Sequence, residues 1–260
     1  MKQLIIIITL FLGTTGSVMA QEIGEKIVGQ DNAISTPFCT AAIGWTFPDA
    51  DMAVKYQGFI TLNANLGWKT KQNWLWMVEF GFGFGSDNAK GKNDILAEIM
   101  TREGDPFVIS REGSDAGVVA YNRNLSLMGK VGKVIPISSK RPNSGIMLTM
   151  GLGAIQHQII YQSTLEVAEQ LEGDYAYLYD RQMKGLMVSG FIGYLHMSKK
   201  SYTNFYIGLE LDQAWTKLTR DYQINYNLSP NKIFSDRMWT VKVGWMFPFF
   251  GRDADKIYYF

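Results

Sequence analysis

Cysteine is nearly absent from this chain: Cys39 is the single one among 260 residues. An internal disulfide framework is thereby excluded, and stability must come from hydrogen bonding and burial. Cys39 reads as a lipid-facing or packed apolar residue, and its distance from the N-terminal apolar run implies no lipid anchor. An excess of charge is missing too: 25 basic against 24 acidic residues leave a formal net charge of +1, which argues against a nucleic-acid partner. Histidine is scarce, and no cluster has metal-ligand spacing, so no metal or cofactor is expected.

What is present begins with a leader. Met1-Lys2-Gln3 gives a short basic start, residues 4–13 form an almost unbroken apolar run, and Val18-Met19-Ala20 places a small residue before a cut. The pattern predicts a secretory signal peptide over residues 1–20, its apolar run too short to span a bilayer, and a mature chain starting at Gln21. The about 240 remaining residues suffice for one substantial domain or two small ones.

Period-two alternation then recurs along the chain. Trp74, Trp76, Val78, Phe80, Phe82 and Phe84 alternate with Glu79, Gly81, Gly83 and Gly85, and Ile60, Leu62, Ala64, Leu66 and Trp68 with Thr61, Asn63, Asn65 and Gly67. Later, Phe205, Ile207, Leu209 and Leu211 oppose Tyr206, Gly208, Glu210 and Asp212, while Trp239, Val241, Val243, Trp245 and Phe247 oppose Thr240, Lys242, Gly244 and Met246. Side chains alternate across a strand, so these are strands with one greasy face and one small or polar face. Repeated Trp, Phe, Leu and Val are too bulky to converge inside a small barrel. Gly, Thr, Asn and an occasional charge suit a narrow, filled lumen, so the apolar face is expected to meet lipid.

Eight strands are predicted, near 37–47, 58–68, 74–85, 123–135, 146–158, 185–196, 204–217 and 237–247. Connections after the second, fourth and sixth are short and polar; those after the third, fifth and seventh, about 86–122, 163–184 and 218–236, are long. Short turns belong on the periplasmic side and long loops outside. The expectation is an all-β, eight-stranded antiparallel up-and-down transmembrane β-barrel over 37–247. A periplasmic segment over 21–36 precedes it and a periplasmic tail over 248–260 follows. The aromatics sort to strand ends as membrane-interface girdles require. Trp68, Trp74, Trp76, Tyr194, Phe205, Trp245 and Phe247 fall at one rim, and Trp45, Phe47, Phe84, Trp215 and Trp239 at the other.

The last strand holds Val243-Gly244-Trp245-Met246-Phe247, which resembles the terminal-strand signal of outer-membrane proteins. That resemblance implies recognition by the barrel-assembly machinery through Gly244, Trp245 and Phe247. The tail adds Phe260 as a second terminal aromatic outside the strand, so which one is read stays open. The layout resembles OmpA/OmpX-type barrels of Gram-negative outer membranes. The tail, with its Pro-aromatic-Gly-Arg start and Tyr-Tyr-Phe end, resembles small barrel proteins of the Bacteroidota, some of which accompany type IX secretion and gliding.

Within the expected lumen, Glu79, Glu210 and Asp212 face Lys130 and Lys242, with Asn63 and Asn65 near, and are expected to neutralise one another as a plug. The histidines test an enzyme. His196-Met197-Ser198 resembles the His-x-Ser motif of outer-membrane lipid A deacylases but falls at a periplasmic turn, and His157, among Gln156, Gln158 and Gln162, reads as a hydrogen-bonded rim residue. Outside, residues 94–103 form an expected helical turn. Ser163 and Glu166 stand at capping-box spacing, with Leu165, Ala168 and Leu171 along one side of an expected short helix, and Tyr175, Tyr177, Tyr179, Tyr222 and Tyr226 are candidate contacts at the outer mouth. The leading expectation is a non-enzymatic barrel that lies in outer-membrane lipid and lipopolysaccharide with a structural or protein-interaction role, an envelope protein being the expected partner and an accessory subunit of an envelope assembly or secretion complex its finer form. A lipid-modifying enzyme and a narrow channel are the alternatives.

Overall fold

The computed structural model describes residues 33–102, 104–139, 141–198, 203–220, 222–224 and 232–249. The expected leader, Tyr226 and Phe260 lie outside these. Eight strands follow in order: β1 (Thr36–Asp49), β2 (Phe59–Lys69), β3 (Trp74–Ser86), β4 (Val118–Pro136), β5 (Gly145–Ser163), β6 (Met183–His196), β7 (Phe205–Leu218) and β8 (Phe234–Pro248). Each pairs antiparallel with its sequence neighbours, and β1 closes on β8 from Phe38↔Pro248 to Asp49↔Arg237. The result is a closed eight-stranded up-and-down barrel.

The alternation sorts as the residue volumes demand. Leu66, Met150 and Trp76 are 70%, 73% and 59% exposed on the outer surface, whereas Glu79, Asn63, Lys130 and Thr240 are buried inside. Cross-strand neighbours on the outer face are correspondingly apolar: Trp68↔Trp76, Leu66↔Val78 and Leu62↔Phe82 between β2 and β3, and Phe205↔Trp245 between β7 and β8. Such pairs stabilise a ladder on a pleated surface.

The interior is filled in three layers. At the short-turn end lie Phe38, Leu75, Met77, Val134, Met147, Phe191, Leu195, Tyr206 and Met246. At the long-loop end lie Met128, Ile155, Ile159, Met187 and Met238, capped by Met52 and Tyr56 from the β1–β2 connection. The charged residues sit between them. Methionine, and not only Gly, Thr and Asn, therefore lines much of the bore. Its unbranched thioether fills the irregular spaces left where strands converge.

In the short-turn layer, aromatic rings lie flat over glycines. The Phe191 ring covers Gly193 and Gly208, and the Tyr206 ring covers Gly244, where a Cβ would stand 2.4 Å from a ring carbon. Gly244, part of the expected assembly signal, thus has a packing duty, while Trp245 and Phe247 point outward.

The sequence and the structure differ most at the long-loop end. Strands β4 and β5 extend to Val118 and Ser163, pairing Val118↔Ser163 and Ala120↔Tyr161 beyond the last contacts with β3 and β6. The connections shrink to 87–117 and 164–182, because Val118, Ala120, Ile159 and Tyr161 bury apolar side chains inward against the loops. The β1–β2 connection carries an unforeseen helix, α1 (Ala50–Lys55), capped by the Asp49 side chain, which accepts from Ala50 N–H. The expected helix after Ser163 is absent. Ser163 is the last strand residue, and short 3₁₀ turns at Glu169–Leu171 and Gly173–Leu178 take its place. The turn expected over 94–103 is realised as helix α2 (Lys92–Ile95) followed by a 3₁₀ turn at Ala97–Ile99.

Gly208 supports the barrel through its missing side chain, since a Cβ there would meet the Ile192 carbonyl at 2.3 Å and the Phe191 ring at 2.6 Å. Gly208→Val is expected to lower stability by at least about 1–3 kcal/mol, read as a lower urea midpoint of the barrel in detergent micelles. Leu209→Val, one residue away on the outer face, should leave that midpoint nearly unchanged.

Candidate functional site

Among the buried polar residues described, two clusters hold ion-paired groups of the bore and of its long-loop mouth. The first is a four-membered ring of charges at mid-height. Lys130 Nζ on β4 donates to Glu79 Oε1 on β3 (2.7 Å) and to Glu210 Oε1 on β7 (2.5 Å). Lys242 Nζ on β8 pairs with Glu79 (3.3 Å) and with the second oxygen of Glu210. Each carboxylate meets both ammoniums. Ser189 Oγ donates to Glu210 (2.9 Å), and Asn63 Nδ2 lies 3.4 Å from Glu79. The inward alternation of four strands brings these residues together across the bore.

Asp212 and Asn65, expected in the same group, are placed otherwise. Asp212 is buried one inward position from Glu210 on β7, in register with Ser189. It makes no ion pair with a described residue, and its Oδ1 lacks a hydrogen-bond partner. Asn65 donates to Thr40 Oγ1 (2.7 Å) instead of joining the charges. Above the ring, Thr46 Oγ1 lies 2.9 Å from Thr240 Oγ1 and 2.5 Å from Thr61 Oγ1, forming a hydroxyl chain across β8, β1 and β2. A cavity of about 30 Å³ lies among Thr61, Asn124, Met187, Asp212 and Met238. It has room for one or two water molecules, far below the roughly 300 Å³ of a small-molecule site.

The second cluster closes the long-loop end. His157 on β5 is fully buried, its Nε2 2.9 Å from Asp236 Oδ2 and its Nδ1 3.0 Å from the Tyr56 hydroxyl. An ionised Asp236 accepts only, so Nε2 carries the proton and Nδ1 accepts from Tyr56. Asp236 also accepts from Lys55 Nζ on α1 (2.8 Å) and from Thr216 Oγ1 (2.5 Å). Burial pushes the Lys55 ammonium below its ordinary value, and the Asp236 charge opposes that shift. The network fastens α1 over the mouth. The sequence reads His157 as a hydrogen-bonded rim residue; the hydrogen bonds are present, and what the sequence does not show is its full burial and the identity of its partners. Its partners lie far off in the chain, and their only local signal was the apolar i,i+4 pair Met52 and Tyr56 on a short segment.

His196 lies at the short-turn end with its ring 5.2 Å from that of Phe205. The Ser198 amide donates to Asn204. At the opposite end the four connections are stitched together. Lys90 N–H donates to the Lys55 carbonyl, and Arg111 N–H to the Val167 carbonyl. Arg220 pairs with Asp180 at 2.7 Å and stacks on the Tyr177 ring at 4.4 Å. Tyr175, Tyr177 and Tyr222 are exposed on this crown, whereas Tyr179 is buried inside it.

A closed ring of eight strands, a continuous apolar outer belt and a filled interior define a transmembrane β-barrel. Similar solved structures include Ail, the attachment invasion locus protein of Yersinia pestis, in complex with the heparin analogue sucrose octasulfate, at 11% identity over 82% of this chain and 99% of that one, TM-score 0.43. Neisserial surface protein A matches at 7% identity over 83% and 99%, TM-score 0.39. The N-terminal β-barrel domain of Pseudomonas aeruginosa OprF matches at 10% over 82% and 100%, TM-score 0.38. No protein-family model and no curated protein matches the sequence.

The charge ring generates an asymmetric pair of expectations. Lys130→Met leaves two buried carboxylates sharing one ammonium and should lower stability by about 3–5 kcal/mol. Asp212→Asn replaces a buried carboxyl that makes no ion pair with a described residue and should leave stability equal or raised; urea unfolding of both variants in detergent checks the contrast. At the crown, Ser114 and Ser110 donate to Glu166 and hold its carboxyl below the ordinary range. The depressed value means that this pin is present above the ordinary carboxylate pKa and is lost as pH falls through the lowered one. Proteolysis within 104–117 by an acid-active protease should rise in that acidic window, and a protease active at neutral pH should already cut Glu166→Gln faster than the wild type there.

Proposed function

We propose that this chain is a non-enzymatic outer-membrane protein whose barrel is a rigid, non-conducting support. It presents its long-loop crown outside the cell and its termini to the periplasm, and serves as an accessory subunit of an envelope assembly. One observation carries the reading: the bore is plugged at three heights while the described residues of the four long-end connections are joined by hydrogen bonds and an ion pair into one crown with exposed Tyr175, Tyr177 and Tyr222. A rigid scaffold that positions loops is suited to contact, and aromatic side chains are preferred anchors of protein interfaces.

Neither alternative draws support from the described residues. A channel needs a continuous wet path, and two apolar layers and a charge ring cross this one. An enzyme needs its base within reach of substrate, yet His157 and Asp236 are both fully buried. Reading of Gly244, Trp245 and Phe247 by the barrel-assembly machinery belongs to the same proposal.

The test is recovery of the tagged mature protein from isolated outer membranes in mild detergent, followed by mass spectrometry of what stays bound. Stoichiometric co-recovery of one envelope protein is expected, reduced at least tenfold in a Tyr175→Ala, Tyr177→Ala, Tyr222→Ala variant that still folds. Recovery of the barrel alone would overturn the accessory-subunit reading.

A further inference from the structure

We infer that the outer face of β4–β7, at the long-loop end, is a binding strip for the phosphates of a multiply phosphorylated glycolipid in the outer leaflet. The inference rests on the proposed outward orientation of the long loops. Arg123 on β4, Lys184 on β6 and Lys217 on β7 are all exposed and point outward. The register joins them into one surface. Arg123 faces Gln158, the next outward residue Gln156 faces Lys184, and Lys184 faces Lys217.

Three features set this strip apart. First, the cations lack internal partners. Arg123, Lys184 and Lys217 form no ion pair with any described residue, and where other such cations, among them Lys71 and Lys133, lie apart, these three are grouped on one face near the long-loop end. Second, Lys184 and Lys217 stand directly opposite one another on the same face, a repulsive arrangement in a β-ladder unless an anion sits between them. Third, the strip covers only part of the circumference. On β3 the residue in register with Arg123 is Phe84, and the rims of β1 and β8 carry Trp45, Phe47 and Trp239.

Immediately toward the short-turn end, the same strands present Leu125, Leu186 and Trp215. A ligand held here places phosphate against the cations and acyl chains against the apolar belt. Arg123 offers a planar fork for phosphate oxygens, and the lysines offer point charges on flexible stems. From β4 to β7 the strip spans three strand spacings, about 14 Å. One phosphodiester headgroup reaches only part of that span. A sugar scaffold bearing two or more phosphates covers it.

The experiment is native mass spectrometry of the delipidated, folded mature barrel in detergent. Three probes are titrated: phosphorylated glycolipid purified from the host envelope, the same glycolipid after phosphatase treatment, and phosphatidylglycerol. The wild type should bind the phosphorylated form at least tenfold more tightly than either other probe. A Lys184→Gln, Lys217→Gln variant should lose about tenfold, and adding Arg123→Gln should lose more. Folding of each variant is verified by its heat-modifiable electrophoretic migration. Equal binding of the dephosphorylated glycolipid, unchanged binding by the folded variants, or preference for phosphatidylglycerol would overturn the inference. Protease shaving of intact cells tests orientation separately: protected long loops would refute the outward reading without altering the binding measured in detergent.

Discussion

Hydrogen bonding of the backbone in a medium without water is the constraint from which this structure follows. In hydrocarbon an unpaired N–H or C=O costs several kcal/mol, and closure of the sheet is the one way for strands to leave no edge. The ladder between β1 and β8 meets that demand. Once the ring is closed at eight strands, its bore is narrow, so the interior must be packed like a protein core while the exterior is packed like a solute in oil. The two faces of each strand obey different rules. The flat rings of Phe191 and Tyr206 over glycines and the methionines threading the bore show how tightly the inner rule binds.

The charge ring belongs to that same narrowness. Four ionised groups between two apolar layers are costly unless each is paired in good geometry. The ring achieves this by giving every carboxylate two ammoniums. Its relation to function is indirect: with the bore closed, contact with other molecules is left to the crown and the outer wall. At the crown the fully buried His157 and Asp236 act as a fastening, despite a pairing that in an open cleft would read as catalytic machinery.

Much of this was legible in the sequence because period-two alternation is a local signal that survives without knowledge of contacts. It located all eight strands, the sense of the apolar face and the residues of the charge ring. It lost β4 and β5 at Val118–Ala120 and Ile159–Ser163 for a physical reason. Beyond the lipid the apolar side chains turn inward to meet the loops, so the greasy-out pattern that marks a membrane strand inverts. Helix α1 was missed because one and a half turns give too few residues for a helical period. The capping-box spacing at Ser163 and Glu166 misled because Ser163 remains in the ladder and Glu166 is used by Ser110 and Ser114 from another connection. Asp236, Thr216 and Tyr56 gather around His157 only through the closed register, which no single segment encodes.

The charge ring also bears on how such a barrel is built. Glu79 and Lys130 lie on β3 and β4, diagonal neighbours around the Met77↔Lys130 pair, and Glu210 and Lys242 are placed the same way on β7 and β8. Each of these two adjacent-strand units carries one negative and one positive group of the ring. A barrel that grows by adding paired strands therefore gains no net charge from the ring residues as either unit enters the bilayer, and the two halves of the ring meet only when β8 finds β1.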